Sequence, residues 1–184
     1  MSETPTTGLF GDPTPAERLE RMVRVDQAGE YGAMRIYAGQ LAVLGRRRSC
    51  GDMLRKMAAQ EQAHLDTFNK IAAERRVRPT VLEPLWHLAG FALGAGTALL
   101  GEKAAMACTV AVEDVIEEHY AAQAEALGDS DPALRETIEK FRADELEHRD
   151  AALAEGAEAA PGYLLLSAAI KAGTRLAIRL SEKF

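Results

Sequence analysis

The chain has little cysteine, no excess of positive charge and no long unbroken apolar run, and each shortage removes a class of protein. Only two cysteines, Cys50 and Cys108, occur in 184 residues, and they form no CxxC pair. A disulfide framework is therefore not expected; both read as ordinary thiols of a reducing compartment. The 22 Lys and Arg residues stand against 28 Asp and Glu, a formal net charge of −6. Nucleic acid is excluded as a partner, because a phosphate backbone demands a dominant basic surface. No segment alternates with a period of two, so no strands are expected. No glycine-rich fingerprint of a dinucleotide fold is present either. Met1 to Asp12 shows neither an apolar signal segment nor an Arg-rich amphipathic pattern. The expected setting is a cytosol-facing bacterial protein, or an organelle protein without its presequence.

What is there is helical. Hydrophobic residues make up 47% and charged residues 27%, the balance of a globular chain long enough to bury a core. Residues 1–13 are expected to form a flexible N-terminus and residues 14–184 a single domain. Thr14-Pro15-Ala16-Glu17 is a capping box with proline at the first helical position. It predicts a helix to about Leu44, stopped by Gly45. After a polar loop at Arg46 to Asp52, a second helix is expected over Met53 to Arg75. Pro79 and Pro84 lead into a third, apolar helix ending near Gly101. A fourth covers Glu102 to Leu127, a fifth runs from Pro132 to about Glu155, and a sixth from Pro161 to the end.

The two halves repeat. Tyr37-Ala38-Gly39-Gln40 matches Tyr120-Ala121-Ala122-Gln123 at an offset of 83, which also places Glu30 on Glu113. One residue further, Glu61-x-x-His64 falls on Glu145-x-x-His148. The chain reads as a duplicated helical hairpin with a third helix appended to each copy. Glu and His three apart share a helix face. Two such pairs, each with a Glu 31 or 32 residues upstream, form the ligand pattern of a di-iron carboxylate bundle. Four buried carboxylates without cations would be severely destabilising, and carboxylate with imidazole suits iron or manganese rather than a soft metal. The expected metal ligands are Glu30, Glu61, His64, Glu113, Glu145 and His148. Glu117 competes with Glu113, and the repeat favours Glu113. Tyr37 and Tyr120 each lie seven residues after a ligand Glu and could orient a carboxylate; Asp26 could accept from a ligand histidine.

The run from Val25 to Ala33 with Arg35-Ile36-Tyr37 resembles the demethoxyubiquinone hydroxylase family. So do Arg76-Val77-Arg78-Pro79-Thr80, Pro84-Leu85-Trp86, Gly90 to Thr97, Ala105 to Glu113 and Asp144 to His148. The resemblance covers nearly all of the chain from Leu19, with two departures: Gln27 stands where the family usually has His, and Glu118 where some members have a second His. It implies a ferritin-like four-helix bundle with two membrane-associating helices. It also implies a di-iron monooxygenase that uses dioxygen to hydroxylate the ring of a demethoxyubiquinone or demethoxyubiquinol. A polyprenyl quinone substrate, NADH as electron source and a lipid-binding accessory protein belong to the same implication. The competing readings are another di-iron oxidase or ferroxidase, and a non-catalytic quinone or lipid carrier.

Leu85 to Leu100 is nearly all apolar, yet short for a span. Lys171, Arg175, Arg179 and Lys183 recur every four residues beside leucines, as in a helix lying on an anionic membrane surface. The expected location is peripheral, on the cytoplasmic face of a bacterial inner membrane or the matrix face of a mitochondrial one. Gly90, Gly94 and Gly96 are expected to leave a low surface for an isoprenoid tail.

Overall fold

The first helix, α1 (Pro15–Leu44), starts at the capping box: the Thr14 hydroxyl accepts from the Glu17 amide at 3.2 Å, and Glu17 accepts from the Thr14 amide at 2.7 Å. The computed structural model describes residues 13–184, so the segment 1–12, expected to be flexible, lies outside the described residues. Five further α-helices follow: α2 (Arg48–Arg75), α3 (Glu83–Leu99), α4 (Glu102–Leu127), α5 (Pro132–Ala154) and α6 (Tyr163–Lys183). A 3-10 turn at Ala157–Ala159 precedes α6, and no strand occurs among the described residues.

One boundary differs from expectation. α2 begins at Arg48, inside the polar run Arg46 to Asp52. Cys50 is buried with Leu54 and Met57, so one apolar position on each of the first turns is enough to extend the helix. At the other end of the chain, Gly128 takes φ +49 after α4 and the Asp131 carboxylate caps α5 by accepting from the Leu134 amide at 3.1 Å.

α1, α2, α4 and α5 form a helical bundle with two apolar clusters. One gathers Phe68, Leu134, Ile138, Phe141 and Tyr120; the other gathers Tyr37, Leu44, Leu54, Met57 and Met106. α3 packs along α1, and α6 lies against α1 and α4. The α1–α3 contact is a backbone approach. A Cβ at Gly94 would overlap the Ile36 carbonyl, one at Gly90 would lie 2.9 Å from the Gly32 carbonyl, and one at Gly39 would overlap the Phe91 carbonyl and the Ala95 amide. Gly94 therefore serves helix packing rather than an open surface, Gly90 serves packing and also borders an apolar cavity, and Gly96 has nothing within 4 Å.

The basic stripe of α6 is likewise partly inward. Lys171 pairs with Asp114 at 2.7 Å and Arg175 with Glu118 at 2.8 Å, both on α4. No helix among the described residues is long and apolar enough to cross a membrane.

The glycine reading predicts a contrast within one helix. Gly94→Ala should cost about 1–3 kcal/mol through overpacking, while Gly96→Ala should be neutral or stabilise by up to about 1 kcal/mol through helix propensity. Chemical denaturation of the two variants decides it; equal stabilities would contradict the close α1–α3 packing.

Candidate metal centre

Between the two apolar clusters, four helices turn polar side chains to one layer. α1 contributes Glu30, α4 contributes Glu113, and α2 and α5 contribute Glu61 with His64 and Glu145 with His148. The three-residue spacing stacks each Glu–His pair one turn apart on the inner face. None of the six is more than 2% exposed. All six sequence-predicted ligands thus meet in one place. Glu117 does not: it turns to the Arg142 guanidinium at 2.5 Å.

Two groups form, each with ligand atoms within 4.8 Å of one another: Glu30, Glu61, His64 and Glu145, and Glu61, Glu113, Glu145 and His148. Glu61 and Glu145 belong to both. The layout is two adjacent cation-sized positions with two shared carboxylates between them, and one carboxylate and one imidazole at each end.

The histidines are held from behind. His64 Nε2 lies 3.0 Å from Asp144 Oδ2, and His148 Nε2 lies 3.3 Å from Gln60 Oε1. An Nε2–H that donates outward leaves the Nδ1 lone pair facing the layer, the arrangement that outer partners impose on metal-bound imidazoles. Asp144 and Gln60 each precede a ligand Glu and correspond in the two halves; their shared position was the sequence signal for this role. The tyrosines cross between halves. Tyr37 on α1 donates to Glu113 Oε1 at 2.7 Å, and Tyr120 on α4 donates to Glu30 Oε1.

Asp26 is placed differently from expectation. The histidine it faces is His119, at 3.5 Å, not His64 or His148, and it accepts from Gln123 at 2.8 Å. The reason is register: Asp26 sits one turn before Glu30, level with the Tyr120–Gln123 turn of α4 rather than with α2 or α5. At the two departures from the family pattern, Gln27 donates to Asn69 at 3.2 Å and Glu118 pairs with Arg175. Neither reaches the layer.

The donor set fits a pair of cations. Nδ1 of His64 is 3.5 Å from Glu30 and 3.3 Å from Glu145; Nδ1 of His148 is 3.0 Å from Glu61 and 3.3 Å from Glu145. None of these approaches is aligned as a hydrogen bond. Glu30 Oε2, both oxygens of Glu61 and of Glu145, Glu113 Oε2 and both Nδ1 atoms are buried without a partner. Bases alone, converging with no hydrogen between them, require positive charge. Without metal, protons must supply it. Burial pushes the Glu30, Glu61 and Glu113 carboxyls up, Glu61 and Glu113 furthest, with the neighbouring carboxylates adding to the shift. Burial alone would keep His64 neutral, but Glu145 and Glu30 outweigh it and raise the imidazolium to about 10. Burial also works to raise Glu145, yet His148 and His64 prevail and leave it below the ordinary range.

A cavity of about 340 Å³ lies beside this layer, among α1, α3, α4 and α6. Its wall is mainly apolar, including Ile36, Leu93, Val112, Ile116 and Ile178, and it touches Tyr120, His119 and Trp86. Tyr120 is the link from the cavity to Glu30.

Comparison with known proteins agrees with these features. Residues 17–181 match the family described as Ubiquinone biosynthesis protein COQ7. A 3-demethoxyubiquinol 3-hydroxylase from Rhodospirillum rubrum is 62% identical over 175 residues, covering 95% of this chain and 82% of the relative. The human mitochondrial NADPH-dependent 3-demethoxyubiquinone 3-hydroxylase is 53% identical over 182 residues, covering 97% and 83%. The Saccharomyces cerevisiae mitochondrial 5-demethoxyubiquinone hydroxylase is 44% identical over 181 residues, covering 90% and 78%.

The proton bookkeeping predicts how metal and pH interact. Carboxyls with raised folded pKa values stabilise the metal-free fold fully below 4.5, and that contribution is lost as pH rises. His64 adds stability below 6.5 that is lost as pH approaches about 10. Only Glu145 works oppositely, and only below 4.5. Between about pH 5.5 and about pH 8.5 the metal-free protein should therefore lose stability, while divalent cation binding displaces protons and gains. Thermal melts with and without Fe(II) should separate increasingly with pH; a constant or absent gap would contradict the metal assignment.

Proposed function

The chain belongs to the Ubiquinone biosynthesis protein COQ7 family, and on that premise we propose that it is a di-iron monooxygenase that hydroxylates the ring of a demethoxyubiquinone or demethoxyubiquinol with dioxygen. It is an enzyme of ubiquinone biosynthesis, as its hydroxylase relatives are. The observation that carries the reading is the junction of two features: a buried four-carboxylate, two-imidazole layer, and an apolar cavity that meets it at Tyr120. A ferritin-like bundle is the architecture this ligand set serves elsewhere.

Two ferrous ions held by Glu30, Glu61, His64, Glu113, Glu145 and His148 would supply the electrons that reduce dioxygen and the oxidising power that hydroxylates an electron-rich ring. The protein's own contribution is positional. Asp144 and Gln60 hold the two imidazoles in one tautomer, and Tyr37 and Tyr120 hold one oxygen of Glu113 and of Glu30. The apolar wall of Ile36, Leu93, Val112 and Ile116 excludes water from the side where a ring approaches, and accepts a polyprenyl tail. The reductant in the mammalian relatives is NADPH by name; a reduced nicotinamide dinucleotide is proposed here. A ferroxidase would leave the cavity without a task, and a carrier would leave the ligand layer without one.

α3 and α6, which roof the cavity, carry exposed Leu85, Leu88, Leu99, Leu164, Leu165 and Leu176 on their outer faces. Exposed leucines in this number mark an interaction face, and peripheral attachment to the membrane that holds the quinone suits them. Since Lys171 and Arg175 are paired to α4, attachment rests more on these leucines than on the basic stripe. Leu88→Glu with Leu165→Glu should therefore weaken liposome binding about tenfold or more, largely independent of salt. Unchanged cosedimentation would rule the face out.

The catalytic reading is tested with iron-loaded protein, a chemical reductant, a short-tailed demethoxyquinone and ¹⁸O₂. One labelled oxygen should enter the ring. Glu113→Ala should reduce turnover at least about 100-fold, since even partners one step out from a metal are worth about 10–100-fold, while Glu117→Ala should stay within about twofold. Product without label, or full activity in Glu113→Ala, would contradict it.

A further inference from the structure

The internal duplication supplies a control for every residue near the centre. At the offset of 83, Gln40 corresponds to Gln123, Thr109 to Asp26 and Ile36 to His119. The correspondence is spatial as well. Gln40 Nε2 approaches Thr109 Oγ1 at 3.3 Å, and Gln123 Nε2 donates to Asp26 Oδ1 at 2.8 Å. Both glutamines are buried and lock α1 to α4. In one half that lock works with a neutral hydroxyl and an isoleucine. In the other, the same places hold a carboxylate and an imidazole. The Gln40 lock joins the same two helices without an ionisable pair.

The pair borders the cavity. His119 and Asp26 both line the apolar space against Tyr120. Gln123 Nε2 has two hydrogens: one goes to Asp26 Oδ1, and the second meets His119 Nε2 at 2.9 Å. A nitrogen that accepts from an amide carries no proton, so the imidazole proton is on Nδ1. No described residue bonds Nδ1, and the ring is 18% exposed at its side chain, whereas the Asp26 side chain is fully buried. Among the other polar groups of the wall, Asp26 Oδ2 is an acceptor without a partner, and three donors are already engaged. Tyr120 is bonded to Glu30, Trp86 Nε1 donates to Ser181 at 3.0 Å, and Thr174 donates to the Ile170 carbonyl at 3.0 Å. His119 sits at the level of the metal layer, since its neighbour Tyr120 bonds Glu30 and its partner Asp26 is one turn from Glu30.

We propose that His119, oriented by Gln123 and Asp26, donates from Nδ1 to a ring oxygen of the quinone and so sets which ring carbon faces the metal layer. The proposal rests on the cavity being the substrate site. A symmetric apolar slot would hold a quinone ring by its tail alone, free to turn about its own axis. One fixed donor at the reacting end removes that freedom, and orientation of this kind governs turnover more than affinity. The step is a hydrogen bond alone; no proton changes owner in it.

The test uses the full chain loaded with iron. Trp86 is the single tryptophan and lines the same cavity, so quenching of its fluorescence by a short-tailed demethoxyquinone reads occupancy independently of turnover. His119→Ile copies the residue at the matching place in the other half, and Asp26→Thr with His119→Ile copies the whole arrangement, which keeps a foldable variant in hand. His119→Asn keeps an N–H near Nδ1. Both Ile variants should bind the quinone about tenfold more weakly, the loss of one hydrogen bond, with a further fall in kcat and a rise in reductant consumed per hydroxylated ring. His119→Asn should recover most of the binding. Ile variants that bind and hydroxylate like the parent overturn the role of His119 and leave the cavity assignment standing. A His119→Asn variant as impaired as His119→Ile also overturns it, since a donor near Nδ1 would then not be what matters. Absence of quenching in the parent overturns the cavity assignment and this proposal together.

Discussion

Four carboxylates and two imidazoles share a layer from which water is shut out, and they can share it only if positive charge is supplied between them. Ionised, the carboxylates carry −4; two divalent cations carry +4. Eight buried ligand atoms without hydrogen-bond partners are a large debt for one domain, given that each unpaired buried polar group costs about 1–3 kcal/mol and charged ones more. The surrounding structure is arranged around meeting that requirement. The Glu–His spacing on α2 and α5 sets which faces turn inward. The two tyrosines cross from α1 to Glu113 and from α4 to Glu30, so the helices that supply single carboxylates also fix each other's register. Apolar clusters close the layer above and below, and keep the local dielectric low enough for the charges to interact strongly.

The duplication gives the centre near two-fold symmetry, and the departures from that symmetry are where function enters. His64 is backed by a carboxylate and His148 by an amide, so the two ends of the layer have unequal outer partners. The asymmetry is larger at the two α1–α4 locks, where Asp26 and His119 beside Gln123 take the places that Thr109 and Ile36 hold beside Gln40. α3 adds to it: by packing backbone to backbone on α1, it leaves space beneath α6 rather than filling it. Among the described residues the layer also has an apolar approach at Tyr120.

Much of this was legible in the sequence, for physical reasons. Helix ends at Thr14, Gly128 and Asp131 are written in local chemistry, and the fold agrees there to within a residue. The six residues that meet in the buried layer were legible because Glu and Glu-x-x-His recur at matched spacing in the two repeats. The start of α2 was not, because Arg46 to Asp52 reads as a loop and only tertiary burial of Cys50 makes it helix. Asp26 was expected to accept from a ligand histidine but faces His119, since spacing along α1 cannot say which residue of α4 stands opposite. Gly94 misled for the same reason: a glycine that clears a path and one that admits a neighbouring backbone look alike in one dimension. The α6 stripe was legible as amphipathic, but its pairing with Asp114 and Glu118 depends on a helix 57 residues away.

The central claim is that the buried layer holds two metal ions bridged by the same two glutamates. Anomalous diffraction at the iron edge from crystals grown with Fe(II) measures this directly. The account predicts two anomalous peaks per chain, one beside His64 Nδ1 and Glu30, the other beside His148 Nδ1 and Glu113, with Glu61 and Glu145 in contact with both. A single peak, peaks approached through Nε2, or iron bound at Glu117 would contradict it.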